Sequence, residues 1–589
     1  MRRRRTIGLA AFGAAAALLL AACGGSSGSG SGSSSSSGSS TYGAAITSVV
    51  NPSTHKGGTL TFGNSSTPDS TDPGNTYYDY MWNFTRLYTM PLMTYKSCPG
   101  SCGLQVVPDL ATGPGVVSDN GLTWTYHIQP NVKFEDGTTV TSEDVKYAVE
   151  RTFDRSLFPL GPGYFPLLLA PQKPAYPGPY TDRAKNLMGL NAVQTPNPTT
   201  IVFHLAAPFA DFNYVAAIPQ TAPVPPAKDT GANYQLHPIS TGPYKFQSYQ
   251  LNKQLTLVPN TFWNPATDPN AKQLVSKVVM TMNMNANDID NRLLAGDLDV
   301  DATGTGVQAA ARAKILSSSS LKASSDDPIA GFTWFAALNT TVPPLNNLNC
   351  RMAIEYAANK TNYQTAYGGP VAGGAIATTL APPNIVGQKA FDLYDALSKP
   401  NGDDAKAKAA LKACGQPNGF TVGITYRSDR PKETAAAQAL QASLAQVGIK
   451  ASLHGFPTGT YDANFAGVPK YEAQHDIGIS FYGWAADWPD GYGFFYYLVD
   501  GKAISPAGNT NLSMLNDPKV NSLLDQMAST NNATTRNSFT SQIDMQVMKD
   551  AAVLPGVYAK SLLYRSPNLT NVNVQDYYGM YNYAVLGVK

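Results

Sequence analysis

The stretch "FTVGITYRSDRPKETAAAQALQASLAQVGIKASLH" (Phe420–His454) decides the fold class. "FTVGITY" reads as a strand. From Pro431 the apolar positions change to helical spacing, at Ala437, Leu440, Leu444 and Val447, and Gly448 supplies the stop. "IKASLH" is a second strand. Two strands joined through a helix run parallel in one sheet. A further strand follows at "DIGISFYGW" (Asp476–Trp484). The chain is an α/β protein.

In α/β sheets, ligands gather beyond the carboxyl ends of the strands. Arg430 stands just past "FTVGITY", at the entry to a helix, where an anion is favoured. Asp487 stands just past "DIGISFYGW", inside "GWAADWPDG" (Gly483–Gly491), between Trp484 and Trp488. A carboxylate among aromatic rings is costly unless a positive partner meets it. If both strands share one parallel sheet, a cation and an anion share one rim. Ordinary roles stay open on the residues alone. Asp487 suits a turn ahead of Pro489, satisfied by backbone N–H groups. Arg430 suits pairing with Asp429 or Glu433, Arg427 competes for the same ligand role, and Trp484 suits core as well as pocket wall.

Working outward, "GGTLTFG" (Gly57–Gly63) reads as an opening strand. "GLTWTYHIQ" sets Leu122, Trp124, Tyr126 and Ile128 on one face at period two. "EDG" (Glu135–Gly137) is a turn, and Thr141 with Asp144 makes a capping box for the helix of "TSEDVKYAVERTF". Prolines crowd between Pro159 and Pro226 and predict long irregular loops. "ISTGPYKFQSY" and "QLTLVPNTFW" read as a hairpin, and "NCRMAIEYAANKTNY" (Asn349–Tyr363) as one helix. Tyr77, Tyr78 and Tyr80 are candidates for a cleft wall.

The amino terminus reads as targeting. Arg2–Arg5 precede an apolar run from Ile7 to Ala22, and Leu20-Ala21-Ala22-Cys23 has the form of a lipoprotein processing site. The expectation is a signal peptide over 1–22, exported by the general or the twin-arginine route, and a lipid on Cys23. From Gly24 to Ser40 every residue is Gly or Ser. Such a tether spans roughly 23 Å root-mean-square, and the tether as a whole is expected to run to residue 54. This places the protein on the outer face of the cytoplasmic membrane.

Charged residues make up only 14% of the chain and the net charge is +2, which argues against a nucleic-acid binder. Four further cysteines, Cys98, Cys102, Cys350 and Cys414, are an even number in an exported chain and suggest two disulfides. The local arrangement pairs Cys98 with Cys102 and Cys350 with Cys414; spacing alone leaves the connectivity open. "SCPGSC" lacks a second ligand pair, so no metal is expected. None of the six histidines sits in H-E-x-x-H and there is no G-x-S-x-G outside the Gly/Ser run, so no catalytic residue is assigned. A secreted hydrolase is the alternative from a different class.

The stretch "DLATGPGVVSDNGLTWTYHIQPNVKFEDGTTVTSEDVKYAVERTF" (Asp109–Phe153) resembles the signature region of family 5 solute-binding proteins, the receptors of peptide and nickel ABC importers. "STGPYKF" (Ser240–Phe246), "NRLLAGDLDV" (Asn291–Val300), "CRMAIEYAANK" (Cys350–Lys360) and "GWAADW" (Gly483–Trp488) follow in the family's order. The resemblance implies a bilobal, type II periplasmic-binding fold with an extra subdomain, its lobes joined by hinge strands. Lobe I would span about residues 55–74, 196–320 and 556–589, the extra subdomain about 75–195, and lobe II about 321–555. It implies a monomeric binder with no cofactor and no catalysis, which delivers its solute to a membrane permease and ATPase. In peptide-binding relatives the Asp of "GW-x-x-D" receives the ligand's α-ammonium, and Asp487 holds that position. An Arg-Pro ahead of the βαβ helix takes the α-carboxylate in dipeptide binders, and Arg430-Pro431 looks similar. Oligopeptide binders often carry an Arg where this chain has Phe481. A non-peptide solute and a sensor role remain the alternatives.

Overall fold

The computed structural model describes residues 43–182, 188–428, 430–457 and 460–589. The signal segment, Cys23, the Gly/Ser run and Asp429 lie outside the described residues.

The Phe420–His454 segment folds as its periodicity requires. Strand Thr421–Arg427 pairs in parallel with strand Lys450–Phe456, Thr421 opposite Lys450. Helix Pro431–Ala445 connects them and buries Ala436, Ala437, Leu440 and Leu444. Gly448 takes φ +91°, the left-handed conformation that turns the chain into the second strand. On its other edge Thr421–Arg427 pairs in parallel with strand Ile477–Ala485. The sheet grows to six strands with Ile329–Leu338, Val553–Lys560 and Gly374–Ile376. Ile329–Leu338 runs antiparallel to both its neighbours, so the sheet is mixed.

A second sheet of five strands comes from the first half of the chain, in the order Val300–Asp301, Thr59–Gly63, Lys277–Thr281, Gln254–Pro259 and Tyr244–Gln250. The last two form the expected hairpin. A third, antiparallel sheet joins Val116–Ser118, Thr123–His127, Thr200–His204 and Val193–Asn197. Trp124, Tyr126 and Ile128 face its core, but Leu122 is exposed, because it belongs to the turn before the strand begins. Thr141 and Asp144 form the capping box of helix Ser142–Arg151.

Several expectations need correction. The proline-rich region is not only loop. It contains helix Tyr164–Leu168 and the hairpin of the third sheet, whose strand Thr200–His204 carries buried Ile201 and Phe203. The expected subdomain boundary near 195 therefore falls inside a hairpin, and the boundary near 555 falls inside strand Val553–Lys560. The Asn349–Tyr363 segment is two helices, Leu348–Ala357 and Lys360–Tyr367. Asn359 breaks them, since its side chain caps the second by accepting the Asn362 N–H at 2.8 Å. The folded body also begins before residue 55. Ala45 is fully buried, its N–H donates to Asp326 at 2.9 Å, and Val50 bridges to Val572.

The chain passes from the five-stranded to the six-stranded sheet at Ser325–Asp326 and returns at Leu563–Tyr564, and these two segments pair antiparallel. Arg565 binds Asp326 at 2.5 Å, and the Tyr581 hydroxyl donates to the same carboxylate at 2.9 Å. Cys98 is bonded to Cys102 and Cys350 to Cys414.

Candidate solute-binding site

Because Thr421–Arg427 and Ile477–Ala485 are parallel neighbours, the segments that follow them emerge on one rim. A cavity of about 970 Å³ opens there, lined by Arg430, Trp484 and Asp487 from this side and by Tyr77, Tyr78 and Tyr80 from the first half of the chain. The candidate ligand residues are thus brought together.

Asp487 retains some exposed surface, yet the protein around it strips away solvent and pushes its carboxyl up to about 6. Two hydroxyls oppose that effect by favouring the ionised form: Tyr77 donates to it at 2.9 Å, and Tyr164 donates to the same oxygen. Tyr577 fixes the backbone here by donating to the Asp487 carbonyl at 2.8 Å. Tyr77 is itself held by Asp69, whose carboxylate accepts the backbone N–H groups of Tyr77 and Tyr78 at 2.5 and 3.2 Å. Among the described residues no basic side chain acts on the Asp487 carboxyl.

The two tryptophans part company. Trp484 lines the cavity, while Trp488 is 1% exposed and packs edge-on against Tyr164 and Phe209. Gly483 is required by contact: a Cβ there would lie 2.1 Å from the Trp334 ring, so the strand can pass that indole only as glycine. Arg427 does not reach the cavity. It is buried against Glu433, donating Nε–H at 2.9 Å and its backbone N–H at 3.0 Å to the same carboxylate. Arg430 does line the cavity and stands 3.7 Å from Glu433.

Sequence reasoning passed over several residues here. Asp79 lies between two tyrosines that were singled out, and it lines the cavity with Phe332, Asn384, Asp462 and Tyr577. Tyr164 was hidden in the proline-rich region, 323 residues from the carboxylate it binds. Nothing local marks such a residue, since its role comes only from packing.

Residues 105–506 match the family model described as "Bacterial extracellular solute-binding proteins, family 5 Middle". The chain belongs to this family. Over 508 residues it is 27% identical to the probable D,D-dipeptide-binding periplasmic protein of Escherichia coli strain K12, covering 84% of this chain and 87% of that one. It is 24% identical to the glutathione-binding protein of Shigella dysenteriae serotype 1, over 77% of this chain and 81% of that one. Among solved structures, the clavulanic acid biosynthesis oligopeptide binding protein 2 superposes with a TM-score of 0.89 at 39% identity, covering 93% of this chain and 98% of that one. The solute-binding protein described here has their bilobal, type II periplasmic-binding fold.

Proposed function

We propose that this solute-binding protein captures short peptides outside the cytoplasmic membrane and delivers them to an ABC permease and its ATPase. One observation carries the reading: Asp487 lines the cavity as a desolvated carboxylate that, among the described residues, takes only hydroxyl donors. A buried carboxylate gains most from a cation that also donates hydrogen bonds, and a peptide α-ammonium offers three such donors. Arg430 meets the α-carboxylate with a planar fork, sharing its charge with Glu433. Family membership and the peptide ligands in the relatives' names support the same class.

In this reading the five-stranded sheet belongs to lobe I, the third sheet to the extra subdomain and the six-stranded sheet to lobe II. The paired segments Ser325–Asp326 and Leu563–Tyr564 are the hinge about which the lobes close. Trp484 and the tyrosines wall the ligand from water. A lipid on Cys23 holds the protein at the membrane, as a monomer that binds and does not cut.

Native mass spectrometry after incubation with a defined peptide mixture tests this. The expected result is a protein–peptide complex that releases its peptides intact. Recovery of no peptide, or of cleaved peptide, overturns the reading.

A further inference from the structure

The cavity carries more negative charge than one α-ammonium uses. Asp79, Asp462 and Asp487 all line it. Among the described lining residues Arg430 is the only cation, and it already faces Glu433. The charges are also unevenly placed. Asp462 belongs to the Arg430 end, where Arg427 and Arg430 both favour its ionised form and the Tyr482 hydroxyl donates to it at 3.4 Å. Among the described residues Asp487 has two hydroxyl donors but no basic group acting on it, and Asp79 has neither. Burial alone raises the Asp79 carboxyl well above its usual range, with no basic group acting on it. Its carboxylate has no hydrogen-bond or ion-pair partner among the described residues. Asp79 follows Tyr77, whose hydroxyl donates to Asp487 at 2.9 Å, and Tyr577, whose hydroxyl donates to the Asp487 carbonyl at 2.8 Å, lines the cavity with both carboxylates.

The ordinary role for Asp79 is helix capping, since it opens helix Asp79–Thr85. Asp79 does not fill that role, since no side chain caps this helix. Asp69 accepts the Tyr77 and Tyr78 N–H groups and the Thr76 hydroxyl, the last at 2.7 Å. Asp79 is left pointing no acceptor at its own backbone. Two desolvated carboxylates without a cation are expensive to keep ionised, and such a pair is worth keeping only if two positive charges arrive together.

The uncharged groups lean the same way. Among the described residues, Asn384 and Asp462 each line the cavity with a buried side-chain oxygen, Oδ1, that lacks a hydrogen-bond donor, against one buried donor, Trp484 Nε1, that lacks an acceptor. A site rich in vacant acceptors suits a ligand rich in donors, and ammonium and guanidinium groups donate without accepting. Tyr78 and Tyr80, with ring centroids 5.8 Å apart, offer faces on which an aliphatic stem and its cationic head can lie.

We infer that the site selects peptides whose amino-terminal residue carries a basic side chain, Asp487 receiving the α-ammonium and Asp79 the side-chain cation. The inference rests on the peptide-binding reading above and adds the substrate class. Two charges on one residue lie within a side chain's length of each other, which suits two carboxylates lining one cavity; a basic residue at the far end would meet Arg430.

Calorimetry at neutral pH with Lys-Ala-Ala, Arg-Ala-Ala, Ala-Ala-Lys, Ala-Ala-Ala and citrulline-Ala-Ala tests it, on wild type and on Asp79→Asn. Wild type should bind the first two at least about tenfold tighter than the other three, citrulline matching arginine in shape without its charge; tenfold corresponds to about 1.4 kcal/mol. In Asp79→Asn that preference should vanish, Lys-Ala-Ala and Arg-Ala-Ala losing more affinity than Ala-Ala-Ala does. The comparison within wild type needs no variant, so a folding defect in Asp79→Asn leaves the test intact. If Ala-Ala-Ala or Ala-Ala-Lys binds wild type as tightly as Lys-Ala-Ala, the inference is wrong and the peptide reading stands. If none of the five binds, and no peptide is retained in native mass spectrometry, the peptide reading falls and this inference with it.

Discussion

Replacing Asp487 with Asn should weaken ligand binding and stabilise the empty protein at the same time. The two effects share one cause. In the empty fold the carboxyl titrates at about 6, against its usual 3.8, because burial penalises the ionised form. The stability it contributes is therefore fully present below about pH 4 and is lost as the pH rises through about 6. At neutral pH the folded state carries a penalty of up to about 3 kcal/mol, at about 1.4 kcal/mol per tenfold. Asn fills the same space and still accepts from the Tyr77 and Tyr164 hydroxyls, but it has no charge to desolvate. Asp487→Asn should melt higher than wild type at neutral pH, and the gap should close towards pH 4. Binding moves the other way. Removing one partner of a desolvated charge pair costs about 2–5 kcal/mol, or roughly thirty- to several-thousand-fold in affinity. N-acetylating the peptide deletes the same pair from the ligand's side, so the two losses should not add. Wild-type affinity should also fall about tenfold per pH unit below about 6, as the carboxyl takes up the proton that the ligand's cation must displace, and the variant should lack this slope. Calorimetry on the four protein–peptide combinations, with scanning calorimetry of the empty proteins, reads all of this. An acetylated peptide that binds wild type as well as the free one would refute the ammonium's role. An unchanged melting temperature in Asp487→Asn would refute the desolvation argument.

Gly483→Ala should destabilise the protein by about 1–3 kcal/mol through overpacking against Trp334, visible as a lower denaturant midpoint; an unchanged midpoint would mean that the indole moves aside freely. Replacing Cys350 and Cys414 by Ser opens a link across 64 positions and should cost about 4 kcal/mol on the loop-entropy estimate, against about 2 for Cys98–Cys102, which spans 4. Equal losses in the two double variants would show that loop length is not what matters. Cys23→Ala should release the protein into the medium or leave it unprocessed, since two acyl chains anchor stably where one would not; a processed variant that still pellets with membranes contradicts lipid anchoring.

Periodicity by itself determined the parallel unit at Phe420–His454, because a helix that alternates apolar and polar faces between two apolar strands has one way to bury its stripe. It also set Arg430 and Asp487 just past two strand ends, but that those strands are parallel neighbours came from the structure. It could not reveal that Asn359 splits one helical segment in two, because the cap depends on a single side chain aimed back at the Asn362 N–H. Nor could it place the hairpin among the prolines, whose strands are recognised only by the sheet they complete.

The division of labour inside the site belonged wholly to the tertiary structure. Trp484 and Trp488 stand four positions apart with the same chemistry, yet one walls the cavity and the other is core. Arg427 and Arg430 are three apart, and Glu433 takes the first into a buried pair while the second stays at the cavity. Tyr77 reaches Asp487 from 410 residues away, and Tyr164 from 323. Sequence fixes which groups can carry charge and which strand end each will occupy. The surroundings that set their protonation and their partners are assembled from distant segments, and desolvation, which governs both, exists only once those segments have packed.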